Sequence, residues 1–275
     1  MLKVKKPLLN QKFTISAAAD WPDIEFQTDG SGAHTWDWSI KWGIHTKSGR
    51  ATTTSNTWNA RDAIQNLGGT LSVTVKTGSG SASLSLKLVG TNPTDTAVKS
   101  YLATKADSDG FFKILSHETK CKHFSTSGEP VKSFDHGYGI CQLTNPKPTF
   151  EQTWNWKLNI DAGLELFKAK RNLAISYLTQ ANRTYTTDQL RYETVCRWNG
   201  GKYHEWDEGA KQWMRPAVIL CDSKTGNIGW NLTSPNNKGK NETALRARDQ
   251  GSYSSRPNGA DWQYLGVCYA DRVLE

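Results

Sequence analysis

Between Thr35 and Ile44 the chain alternates strictly. Trp36, Trp38, Ile40, Trp42 and Ile44 take one parity, and Thr35, Asp37, Ser39, Lys41 and Gly43 take the other. Successive side chains of a strand point to opposite faces, so this stretch predicts a strand with one apolar and one polar side. Leu71, Val73 and Val75 repeat the pattern, and Ala82, Leu84, Leu86 and Leu88 repeat it again. The turn-rich stretch Thr77-Gly78-Ser79-Gly80-Ser81 between them predicts a hairpin. Phe13–Ile15 and Ile24–Phe26 are weaker strand candidates.

Short antiparallel strands with Gly and Ser turns predict an immunoglobulin-like β-sandwich over residues 1–93. The Trp row could supply a carbohydrate platform or a sandwich core. Its position on one alternating face favours the core. From residue 94 the patterning turns helical, so the chain is expected to be a two-domain α+β protein. Its second part, 94–275, would be mainly α-helical, with an extension at 206–275 read as irregular structure and short helices. Gly90-Thr91-Asn92-Pro93-Thr94 reads as the linker, and Thr94 or Asp95 as the cap of a helix through Val98, Tyr101 and Leu102.

The stretch Phe111 to Thr119 carries the chemistry. Phe111, Ile114 and Leu115 fall at i, i+3 and i+4, one face of a helix that Asp109 can open. Glu118, at i+7, shares that face. A carboxyl group on a buried stripe has its charged form penalised, which raises its pKa and suits it to general-acid work. A further helix from Thr149 would set Trp156, Ile160, Gly163, Leu164 and Phe167 on one face, and another from Thr187 would carry Leu190 and Val195. Residues 122–148, rich in Gly and Pro, read as loop.

Glu118-Thr119, then Gly137-Tyr138-Gly139-Ile140-Cys141-Gln142, then Asn159 to Gly163, then Trp198-Asn199-Gly200-Gly201 follow one another in order. In order and spacing they resemble the motifs of the lytic transglycosylases, relatives of goose-type lysozyme. That family has a Glu-Ser pair, a Gly-x-x-Gly-Leu-Met-Gln loop, an Asn-x-x-x-Gly helix and a Tyr-Asn-x-Gly turn. Thr119 stands for Ser, Ile140-Cys141 for Leu-Met, and Trp198 for Tyr. The resemblance covers residues 111–201 and implies a lysozyme-like domain acting on peptidoglycan.

By that resemblance Glu118 is the one acid and base. It protonates the bond between N-acetylmuramic acid and N-acetylglucosamine, then takes a proton from the muramoyl C6 hydroxyl to leave a 1,6-anhydro end. Gly137, Tyr138, Gln142, Asn159, Trp198 and Asn199 would bind or position the glycan. A hydrolytic muramidase would need a second carboxylate, for which Asp135 is the candidate. A peptidoglycan-binding protein that has lost turnover is the other reading. His117 and Cys121, four apart, partly imitate a zinc helix, but no third ligand follows, and no metal or cofactor is implied.

The net charge of +8 favours an anionic partner, and the Lys and Arg are spread without the run of a nucleic-acid arm. No stretch has the length of a membrane span, and the start, Met1 to Pro7, lacks the apolar segment of a secretory signal. Action on the cell wall would then need delivery by a phage or a secretion system, with a tail or secretion component or an immunity protein as partner. Of the five cysteines, Cys121 and Cys141 flank the proposed site, where they would be either disulfide-bonded or buried thiols.

Overall fold

The computed structural model describes residues 1–134 and 136–275 and shows a mixed α and β fold. In chain order its strands are β1 (Val4–Lys6), β2 (Lys12–Ile15), β3 (Glu25–Thr28), β4 (His34–Trp42), β5 (His45–Thr53), β6 (Thr57–Asn59), β7 (Gly69–Thr77), β8 (Gly80–Gly90), β9 (Glu205–Asp207), β10 (Gln212–Met214), β11 (Ile219–Cys221), β12 (Ile228–Asn231) and β13 (Trp262–Tyr264). The helices are α1 (Arg61–Ile64), α2 (Asp95–Ala103), α3 (Phe111–Thr119), α4 (Phe150–Trp154), α5 (Trp156–Leu178), α6 (Thr187–Asn199), α7 (Glu242–Asp249) and α8 (Gly266–Leu274).

The chain divides into two compact units, each assembled from two segments. The first holds Met1–Thr104 and Glu118–Gly163, the second Lys105–His117 and Leu164–Glu275. The division expected at residue 93 follows the change from strand to helix, whereas the compact units follow a different line.

In the first unit a five-stranded sheet runs in the order β2-β8-β7-β4-β5, and a three-stranded sheet runs β1-β3-β6. All pairings are antiparallel except β2 with β8. The alternation in β4 does what it predicts: Trp36, Trp38 and Ile40 are buried, with Leu71, Val73, Leu84 and Leu86 of the neighbouring strands. Phe26 of β3 and Trp58 of β6 stack at 5.5 Å, and Phe26 lies 6.2 Å from Trp36, so the two sheets share one core. Trp36 and Trp38 of the row are therefore core, and Trp42 is half-buried against it. The strand stops at Trp42, because Gly43 turns left-handed (φ 56°) and leaves Ile44 exposed in the turn to β5. β5 carries no alternation of its own; it is an edge strand held by nine registered pairs with β4.

The helices expected from Thr94 or Asp95, from Thr149 and from Thr187 begin within a residue of those positions. Thr94 accepts the Ala97 amide at the start of α2, and Thr149 and Thr186 make capping boxes with Gln152 and Gln189 before α4 and α6. The helix expected from Thr149 is broken at Asn155, and Trp156, Ile160, Gly163, Leu164 and Phe167 of α5 are all buried.

The second unit corrects the reading of 206–275 as irregular. β9 and β10 form a hairpin, and β11-β12-β13 form a sheet over a core of Ile228, Trp230, Leu245 and Trp262. α8 crosses α6 so closely that a Cβ on Gly266 would sit 2.1 Å from the Gly200 carbonyl oxygen. A disulfide joins Cys221 of β11 to Cys268 of α8. No helix of the described residues is long and apolar enough to cross a membrane.

Candidate active site

Glu118 sits in the last turn of α3. Phe111, Ile114 and Leu115 are buried as the helical period requires, but Glu118 is exposed. This corrects the expectation of a desolvated acid. The apolar stripe runs out because the helix ends at Thr119 and the chain turns left-handed at Lys120 (φ 53°) and Cys121 (φ 55°). Cys121 takes the buried place instead.

Within the first unit Glu118 and Gln142 line one open groove of about 430 Å³, together with Asn92, Thr119, Lys122 and Ser133. The loop that brings Gln142 there is fixed from several sides. Thr119 Oγ1 donates to the Ile140 carbonyl at 3.1 Å, tying the end of α3 to the loop. Tyr138 and Leu143 exchange two backbone bonds of 3.1 Å. Gly137 donates to Ser133 Oγ at 2.9 Å. Gly139 is left-handed (φ 73°), and a Cβ there would lie 2.6 Å from His123 and 2.7 Å from Asn159.

Asn159 was expected to touch glycan. It is fully buried in α5 and works on the loop instead: Oδ1 accepts the Cys141 amide at 2.9 Å, and Nδ2 lies 3.2 Å from the carbonyls of Tyr138 and Gln152. Gln142, expected to direct its amide into the groove, lines it with a left-handed backbone (φ 51°), and its Nε2 donates to Gly139 O at 2.8 Å. Tyr138 packs edge-on against Trp42, with ring centroids 5.9 Å apart.

His123 and Asn92, which the sequence reading did not single out, complete the frame. The His123 ring is buried; Nδ1 accepts the Ile140 amide at 3.1 Å and Nε2 donates to the Thr153 carbonyl at 3.0 Å. Burial of the imidazole is the cause that depresses its pKa to about 3, so it stays neutral. Asn92 Oδ1 accepts the amides of both His123 and Phe124 at 2.7 Å. No local pattern marks either residue, because their partners lie far off in sequence.

Trp198 and Asn199 belong to the second unit. Trp198 packs edge-on against Phe111 at 5.5 Å and lies 6.3 Å from Phe167; Asn199 is exposed ahead of Gly200 and Gly201, both at positive φ. Asp135, weighed as a second carboxylate, lies outside the described residues. Cys121 and Cys141 are free buried thiols, and burial pushes the Cys121 thiol up to about 11. Of the two alternatives for this pair the buried thiols hold, and the disulfide of the structure is Cys221–Cys268 in the second unit.

Comparison with family models and with curated proteins finds no match for this chain.

Proposed function

We propose that this protein cleaves peptidoglycan as a lytic transglycosylase, with Glu118 as its single acid and base. On this reading the paired sheets are an immunoglobulin-like sandwich, and the helices with the 137–143 loop are a lysozyme-like domain. The observation that carries it is that Glu118 and Gln142 line one groove, whose volume of about 430 Å³ falls within the range of small-ligand clefts.

The chemistry asks for an acid reachable by a large substrate. Glu118, exposed at a helix end, is reachable by such a substrate. Glu118 then protonates the glycosidic oxygen between N-acetylmuramic acid and N-acetylglucosamine. The carboxylate it leaves takes the proton of the muramoyl C6 hydroxyl as that oxygen closes on C1. The nucleophile belongs to the substrate, so one carboxyl group serves both steps. Gln142 holds sugar substituents along the same groove, while Asn159, Thr119 and His123 keep the loop in place. The Cys221–Cys268 disulfide supports action in an oxidising compartment outside the cytosol.

A second reading is a glycan-binding groove without turnover, which the exposure of Glu118 favours. Digestion of purified sacculi followed by mass spectrometry of the muropeptides separates the two. Anhydro-ended products support cleavage by transglycosylation, and reducing ends mean hydrolysis. Intact sacculi that retain the protein mean a binder.

A further inference from the structure

The outer face of the five-stranded sheet carries a second set of groups that the Glu118 groove does not use. In the ladders joining β5, β4, β7 and β8, every outward position is Ser, Thr, Lys, Arg or Asp. One row across the strands reads Ser48, Ser39, Ser72, Ser85, and the next reads Thr46, Lys41, Thr70, Lys87. A solvated sheet face ordinarily mixes charges of both signs. Here Lys12, Lys41, Arg50, Lys76 and Lys87 face a single carboxylate in the ladders, Asp37, which Arg50 and Lys76 occupy.

Two features make this more than a polar surface. First, the hydroxyls are held in place by one another: Ser72 and Ser85 bond at 2.8 Å, and Thr74 and Ser83 at 2.9 Å. Each such pair uses one of its two protons, leaving one donor and free lone pairs for a ligand. Groups ordered in advance lose little entropy on binding. Second, an open groove of about 690 Å³ lies at one end of the face, lined by Lys41, Trp42, Thr70, Ser72, Lys87 and Glu129 among others. Lys41 and Lys87 stand two strands apart, about 10 Å, on either side of Thr70. Lys87 shares Glu129 at 3.6 Å, and Lys12 and Lys41 have no carboxylate partner among the described residues.

We propose that this face binds an acidic polysaccharide, with one sugar seated against Trp42 and carboxylates of the repeat meeting Lys41 and Lys87. Hydroxyl rows match sugar hydroxyls, the half-buried Trp42 that lines the groove adds apolar surface, and the surplus of cations selects against neutral glycans. The identification of this polymer with peptidoglycan rests on the reading above; the surface itself does not involve Glu118. Duplex nucleic acid is a poorer match, because hydroxyls outnumber cations across the rows and would leave most phosphates unmet.

The test is co-sedimentation of the Glu118→Gln protein with purified sacculi, and affinity electrophoresis in polygalacturonate, each with and without Lys41→Glu and Lys87→Glu together. Both lysines are exposed, so the fold is not at risk. The expected result is salt-sensitive retention by an acidic glycan that weakens at least tenfold in the double variant, with no retention on neutral chitin. Retention on polygalacturonate through the two lysines but none on sacculi supports the surface and removes the peptidoglycan reading. Equal retention of parent and double variant, or tighter binding to duplex DNA than to either glycan, overturns the proposal.

Discussion

Asn159 reaches from α5 to accept the backbone amide of Cys141 at 2.9 Å, and this contact fixes the loop that carries Gln142. The same side chain lies within reach of the Tyr138 and Gln152 carbonyls, and none of it meets solvent. Replacing it with Ala would strand buried backbone groups. The expected loss is about 3 kcal/mol in urea unfolding at neutral pH. Asn159→Asp keeps Oδ1 but sets a buried carboxylate against the Tyr138 and Gln152 carbonyl oxygens, so it should cost at least as much as Ala at neutral pH.

Gly139 is the tightest point of the loop. Gly139→Ala places a methyl against His123 and Asn159 and forces a left-handed residue to carry a Cβ. A loss of about 2–3 kcal/mol is expected. Gly43→Ala is the control: its φ is 56°, in the left-handed region, and nothing lies within 4 Å of the added carbon, so about 1 kcal/mol is expected. Thermal or urea unfolding of both variants checks the ranking.

Stability should depend on pH through His123. Its folded pKa is near 3, because burial disfavours the imidazolium, while an unfolded His titrates near 6.5. Between those values the unfolded chain holds a proton that the folded one does not. The contribution is therefore fully present above about pH 6.5 and is lost as pH falls toward 3, at about 1.4 kcal/mol per pH unit. The window from pH 6.5 to 5 lies above most carboxylate titrations. His45, whose pKa burial also lowers, adds in the same direction. Urea unfolding of wild type and His123→Asn across that window should show a shallower slope in the variant.

The Cys221–Cys268 bond closes a separation of 47 residues in the second unit. Chain-entropy arguments give about 4 kcal/mol for a loop of that length. Reduction with dithiothreitol should lower the urea midpoint, and the Cys221→Ser/Cys268→Ser variant should match the reduced protein and be insensitive to reductant.

Where apolar residues alternate, the sequence reveals the fold directly. β4, β7 and β8 follow from their side chains, and α2, α4 and α6 start at the expected threonines. Local pattern fails in three places. The strands of 205–264 span three or four residues each, too few for a period to register. β5 has no apolar face and is a strand only because β4 supplies its partners. Glu118 shares a helical face with Phe111, Ile114 and Leu115, yet the face ends with the helix, and periodicity does not report what packs beyond a terminus. Asn159 is legible as an important residue but not as a loop-holding one. His123 and the Cys221–Cys268 pairing depend on contacts that only the folded chain creates.

The most direct test of the central claim is digestion of purified sacculi by the wild type and by Glu118→Gln, with muropeptides resolved by mass spectrometry. The account predicts 1,6-anhydro ends from the wild type and none from the variant, which should stay folded because Glu118 is exposed. Release of the same products by both proteins, or by neither, would contradict it.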